Sequence, residues 1–200
     1  MPAAALAQLI EDIRAYQPFN EQEAADKPVI LAQLGAGPQA LQRQSPAHLA
    51  CSVWTVDPQR AQTLAVYHNI YRSWSWIGGH ADGEPRLAQV ALRELQEETG
   101  VQGRLLDCGP GGILSLEVLT VDGHVKRGAY VGSHLHLNVT YLAQAQPSQP
   151  LRVKEDENSA VAWLTPAELL ERSTEPWIRD RIYRKLIDKV APLPQSLPFL

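Results

Sequence analysis

Two hundred residues with 44% hydrophobic side chains can bury a substantial core, and a formal net charge of −4 accompanies them. No run approaches the ~20 apolar residues of a membrane span, and no Lys/Arg stripe is evident, so neither a membrane nor a nucleic-acid polymer is expected as partner. An acidic chain acting on an anionic substrate needs metal ions to bridge the repulsion.

In chain order, Leu6, Leu9, Ile10 and Ile13 keep helical spacing until Pro18. Glu11 and Asp12 interrupt this apolar pattern and no early basic region precedes it, so the segment reads as a helix and not as a secretory signal. Asn20 with Glu23 forms a capping pair, and Pro28 marks a second helix start with Asp26 as its cap. After a loop with Gly35, Gly37 and Pro38, the pattern changes. Residues 1–44 are therefore expected to form a helical extension that covers the core, lines a substrate pocket or mediates homodimerisation.

The stretches HLACSVWTVD and QTLAVYHNI predict strands joined by a turn at Asp57–Pro58. Another, SWSWIGG, enters a glycine-rich loop that leads to a helix. Beyond it, GRLLDCG, a Gly-rich turn at 109–112, ILSLEVLTV and the partly alternating AYVGSHLHLNVTYLAQA complete the predicted sheet. A short helix opens at Thr165–Pro166, and a last one carries Ile178, Ile182, Leu186 and Val190. Periodicity alone supports a mixed α/β class. Cys51 and Cys108 sit in apolar surroundings without paired spacing, as buried free thiols in a reducing cytoplasm would.

Chemistry concentrates in residues 78–101. Glu94, Glu97 and Glu98 fall at i, i+3 and i+4, so on a helix they share a face within ~6 Å of each other. At roughly 100° per residue, Ala88, Leu92, Leu95 and Thr99 form one apolar stripe, while Arg86, Gln89, Arg93 and Gln96 form the solvent side. The three acids continue the remaining face, Leu87, Val90 and Ala91, where a solubilising acid would not sit. Converging hard oxygen ligands suit Mg²⁺ or Mn²⁺.

This stretch resembles the Nudix box, G-x5-E-x7-R-E-U-x-E-E-x-G-U with U a bulky aliphatic residue. Gly79, Arg93, Glu94, Leu95, Glu97, Glu98, Gly100 and Val101 match in register, whereas the pattern's first Glu falls on Pro85. Pro85 suits the first residue of a helix, and Glu84 or Asp82 is left as a substitute for the missing acid. The resemblance implies an α/β/α sandwich with a mixed, curled sheet over residues 45–200. It also implies a metal-dependent hydrolase that cleaves a pyrophosphate bond in a nucleoside diphosphate linked to another moiety. The ions would be held by Glu94, Glu97 and Glu98, with Arg93 holding a glutamate rotamer and Glu98 or an acid of the 155–157 run, first Glu157 and then Glu155, acting on water.

Gly78 and Gly79 let backbone N–H groups approach oxyanions, and His80 lies where it could contact a phosphate. Trp74 and Trp76 alternate, so they share a strand face and either stack on a base or belong to the core. His134 and His136 likewise alternate along one face, but no Cys/His spacing predicts a zinc site. The sequon Asn138-Val139-Thr140 falls inside a predicted strand and is not read as a glycosylation site. Two other activities fit the same fold: a non-catalytic nucleotide sensor, and an isopentenyl-diphosphate isomerase, which would need a reactive cysteine.

Overall fold

The computed structural model describes residues 2–126 and 128–200. Two helices, α1 (Pro2–Ala15) and α2 (Glu21–Gly35), precede β1 (Ala47–Val56), β2 (Thr63–His68), β3 (Ser73–Ser75) and β4 (Ile77–His80). Helix α3 (Leu87–Thr99) leads to β5 (Arg104–Leu105), β6 (Ile113–Val121) and a small hairpin, β7 (His124–Lys126) with β8 (Ala129–Val131). Then follow β9 (His134–Gln144), β10 (Asn158–Leu164), α4 (Pro166–Arg172) and α5 (Arg184–Val190).

The sheet is built around β1. It runs parallel to β9 along its whole length and antiparallel to β2 and β4. Strands β3 and β10 extend the sheet from β2, while β5 and β6 pair with β9. One parallel pair within an otherwise antiparallel sheet makes it mixed.

Alternation along β1 and β9 sorts the layers. Leu49, Cys51, Val53, Leu137, Val139 and Tyr141 share a core with Leu87, Val90, Ala91 and Leu95 of α3, and α1 and α2 add Ile13, Ile30 and Leu34. The opposite face carries Trp54 and Leu142 beneath Leu169 of α4 and Ile182 and Leu186 of the C-terminal helix. Helices therefore cover both faces, giving an α/β/α sandwich. Among the described residues no helix is long and apolar enough to cross a membrane.

Local expectations fail where tertiary contacts outweigh local signals. Pro28 lies inside α2, so the second start expected there does not occur. The Asn20 side chain accepts the Glu23 N–H at 3.0 Å, and burial of Ile30 and Leu34 holds the helix together beyond the proline. Pro85 precedes α3 instead of opening it, because Glu84 Oε1 accepts the Arg86 N–H at 2.9 Å and delays the first turn. The stretch 129–145 divides into β8 and β9, and only two residues of 103–109 form a strand. The final helix begins with a π-helical turn at Ile178–Tyr183. Cys51 is buried and Cys108 only partly so.

A buried polar network joins the terminal helices to the sheet. Glu23 accepts from Ser115 Oγ and Lys189 Nζ, each at 2.7 Å, and Lys185 Nζ lies 3.3 Å from it. Glu117 accepts from Lys185 Nζ at 2.9 Å and from Asn138 Nδ2 and Thr140 Oγ1 at 2.8 Å. Burial alone would raise the Glu23 carboxyl, but the ammonium groups of Lys185 and Lys189 override it and hold the pKa near about 2.

Removing one partner strands a buried charge, so Glu23→Gln should cost about 3–5 kcal/mol in chemical denaturation. Because the folded pKa lies below the ordinary 4.5, the stabilisation is complete above that pH and is lost as pH falls toward about 2. The advantage of wild type over Glu23→Gln should shrink across that window, and a pH-independent difference would refute the assignment.

Candidate active site

The site is assembled where α3 passes β4. A Cβ on Gly79 would lie 2.4 Å from Cδ of Glu94, and one on Gly78 would lie 2.5 Å from the Cys51 carbonyl oxygen. A side chain at Gly79 would have to push the Glu94 side chain aside, and one at Gly78 would have to move backbone. The Gly78 N–H donates to Glu98 Oε1 at 3.1 Å, tying the helix acid to the strand. Gly100, at φ 77, ends the helix directly after Glu98 and Thr99.

Glu94, Glu98 and Glu157 converge, one oxygen from each lying within 4.8 Å of the others. Glu98 is 3% exposed, and burial, reinforced by the charges of Glu157 and Glu94, raises its pKa to about 8. Burial likewise raises Glu94, with Lys154 opposing the shift. Asn158, the first residue of β10, donates to the Glu98 carbonyl at 3.0 Å and brings the acidic 155–157 run beside α3.

Glu97 faces outward and stands apart from the converging oxygens. It pairs with Lys154 at 3.5 Å and Arg93 at 3.9 Å, while Lys154 also holds Glu157 at 2.9 Å. Arg93 reaches Glu94 at 3.4 Å. Neither substitute for the box's first Glu joins the group. Glu84 turns to Arg86 at 2.8 Å, and Asp82 receives a hydrogen bond from Arg43 Nε at 2.6 Å.

A cleft of about 710 Å³ runs past these acids and is lined by Gly78, Gly79, His80, Trp76 and Tyr71. The tryptophans part company. Trp76 lines the cleft and packs edge-on to Tyr183 at 5.7 Å, whereas Trp74 packs against Tyr67 at 5.9 Å. Trp74 does not line the cleft, yet both tryptophans pack against the same core cluster beneath α4 and the C-terminal helix, so they share a face. Glu155 does not join the converging acids, although its carbonyl accepts from Asn69 Nδ2 at 3.0 Å and so ties the loop to the end of β2.

The NUDIX domain family model matches residues 46–186. The chain belongs to the NUDIX domain family. The fold is similar to that of a NUDIX-family hydrolase from Clostridium perfringens, at 18% identity and TM-score 0.51 over 70% of this chain and 96% of that one. It is also similar to the E. coli dihydroneopterin triphosphate pyrophosphohydrolase, at 16% identity and TM-score 0.55 over 72% and 97% of the two chains. No curated protein matches the sequence. In this NUDIX domain the box supplies Glu94 and Glu98, and the third converging acid, Glu157, comes from outside it.

Arg43 and His48 border the cleft without having been singled out in the sequence. Arg43 lies in the N-terminal extension, and its two hydrogen bonds to Asp82 connect it to the box loop. His48 has no neighbouring histidine in sequence; a register between β1 and β9 is needed to see its partners.

Gly79→Ala should fold, since the flexible Glu94 side chain can give way, but should displace that carboxylate and cut turnover by tenfold or more. Gly78→Ala meets backbone instead and should lower stability by about 1–3 kcal/mol. Denaturation and activity measured on both variants separate the two effects; equal behaviour would contradict the packing.

Proposed function

We propose that this NUDIX protein is a metal-dependent hydrolase cleaving the pyrophosphate bond of a nucleoside diphosphate linked to another moiety. The observation that carries the reading is the convergence of Glu94, Glu98 and Glu157 beside two side-chain-free residues at the edge of a large cleft. The donor set fits Mg²⁺ or Mn²⁺: all ligands are hard oxygens, and their mutual repulsion and burial are relieved by a cation. Such an ion, held by Glu94 and Glu98, would neutralise phosphoryl charge and acidify a bound water.

The chain's own groups do the rest. Gly78 and Gly79 let a diphosphate approach the backbone, and Trp76 offers an aromatic wall for a base. Glu157, at the cleft and steadied by Lys154, accepts the proton of the attacking water. Arg93 and Glu97 set the position of Glu94 and Lys154, acting through them rather than on substrate. The E. coli neighbour's name as a triphosphate pyrophosphohydrolase supports the bond class, and the family supports hydrolysis.

The cysteines speak against an isomerase. Burial pushes the Cys51 thiol up to about 12 and Cys108 up to about 11, so neither is a ready nucleophile. The retained acids speak against a sensor that has lost its chemistry.

Glu157→Gln should lower kcat by about 10²-fold or more with little change in KM, measured on a panel of nucleoside diphosphate derivatives with Mg²⁺. Unchanged kcat would remove Glu157 from the mechanism. Glu98, with its pKa raised to about 8, is mostly protonated at neutral pH without metal, so Mg²⁺ binding should expel close to one proton. Calorimetry in buffers of different ionisation enthalpy reads that number. Binding should tighten as pH rises toward about 8, and a heat independent of buffer would sink the assignment.

A further inference from the structure

A second cluster of ligating groups lies on the other face of β4. Gly79 points at Glu94 of α3, so its neighbour His80 must point to the opposite side of the sheet. In the β1–β9 register His48 is paired with His136, and His134 follows two residues away on the same face. Ala50, two residues from His48, is paired with His80. Three strands thus deliver four imidazoles to one point.

The geometry points to a site for one zinc-type divalent ion formed by His48, His80, His134 and His136, separate from the glutamate group. One ring nitrogen from each lies within 4.8 Å of the others. Nε2 of His136 stands 3.2 Å from Nε2 of His80 and 3.1 Å from Nε2 of His134. Tetrahedral ligands at a Zn–N distance of ~2.0–2.1 Å stand about 3.3 Å apart, close to that spacing.

The outer shell has the form a metal-binding imidazole requires. His48 Nδ1 faces the Ser45 carbonyl at 2.7 Å, and His134 Nδ1 faces the Gly132 carbonyl at 2.8 Å. A carbonyl can only accept, so each Nδ1 carries the proton and each Nε2 offers a lone pair inward. His48 is 2% exposed, yet its Nε2 has no hydrogen-bond partner among the described residues. A buried acceptor left so costs about 1–3 kcal/mol, which a cation at the centre would relieve.

Ligand chemistry separates this group from the first one. Imidazole nitrogen favours Zn²⁺ and its transition-metal neighbours, while carboxylate oxygen favours Mg²⁺ and Mn²⁺. Four protein ligands leave no open position, so the ion is structural: it clamps β4, the glycine strand, to β1 and β9. The cleft wall that carries His80 is thereby fixed independently of the glutamates.

The test uses the full chain, stripped with chelator and then dialysed against limiting Zn²⁺ in excess Mg²⁺. Mass spectrometry of the metal content should find about one zinc per chain in wild type and in Glu98→Gln. His134→Asn, shown folded by circular dichroism, should retain less than a tenth of it. Because that variant could misfold, wild type is also titrated with Co²⁺, where an intense visible band marks four-coordinate nitrogen ligation. Zinc absent from wild type, zinc lost from Glu98→Gln but kept by folded His134→Asn, or only the faint band of octahedral Co²⁺ would each overturn the site.

Discussion

The arrangement depends on how closely α3 lies against β4. Contact at this range needs a strand position without a side chain, and Gly79 meets that condition against Glu94, while Gly78 makes room for the Cys51 carbonyl of β1. The same approach places Glu98 beneath the strand, where the Gly78 N–H holds one carboxylate oxygen. It also buries an acid that would be solvated on an ordinary helix. The cost of burying it appears as the raised pKa, and a bound cation would turn that cost into affinity.

The sheet presents two different chemistries on its two sides. Odd positions of β1 and β9 are apolar and support α3. Even positions are polar for much of their length: His48, Ser52, Asn138 and Thr140 are all buried. Asn138 and Thr140 pass through Glu117 to Lys185, and so to Glu23 of α2. The N-terminal helices are joined to the NUDIX domain both by this network and by Ile13, Ile30 and Leu34 in the main core. Their sequence lies before the matched residues, but their side chains share its interior.

Much of the glutamate site was legible because a helix is a local structure. The spacing of Glu94 and Glu98 and the glycines before them need only the 3.6-residue period and a turn. Glu97 shows what such bookkeeping leaves open. Its angle matches the acid face, but its carboxylate pairs with Lys154 at 3.5 Å and Arg93 at 3.9 Å and is not among the converging oxygens. Trp74 and Trp76 keep the shared face that their alternation predicts, both packing against the core beneath the C-terminal helices, and of the two Trp76 also reaches the cleft. Pro28 shows the reverse, a local stop signal overridden by packing.

The sequence by itself determined the box helix, its face of three acids and the fold family they resemble. Each of these follows from residues close together in the chain. Tertiary structure alone decided that Glu157 completes the acid group, that Arg43 reaches Asp82, and that four histidines meet. Those contacts rest on strand register, and β1 pairs with β9 across a separation of 88 residues, Ala47 with Leu135. A shift of one residue would turn His136 to the other face, and no local pattern records which register is chosen.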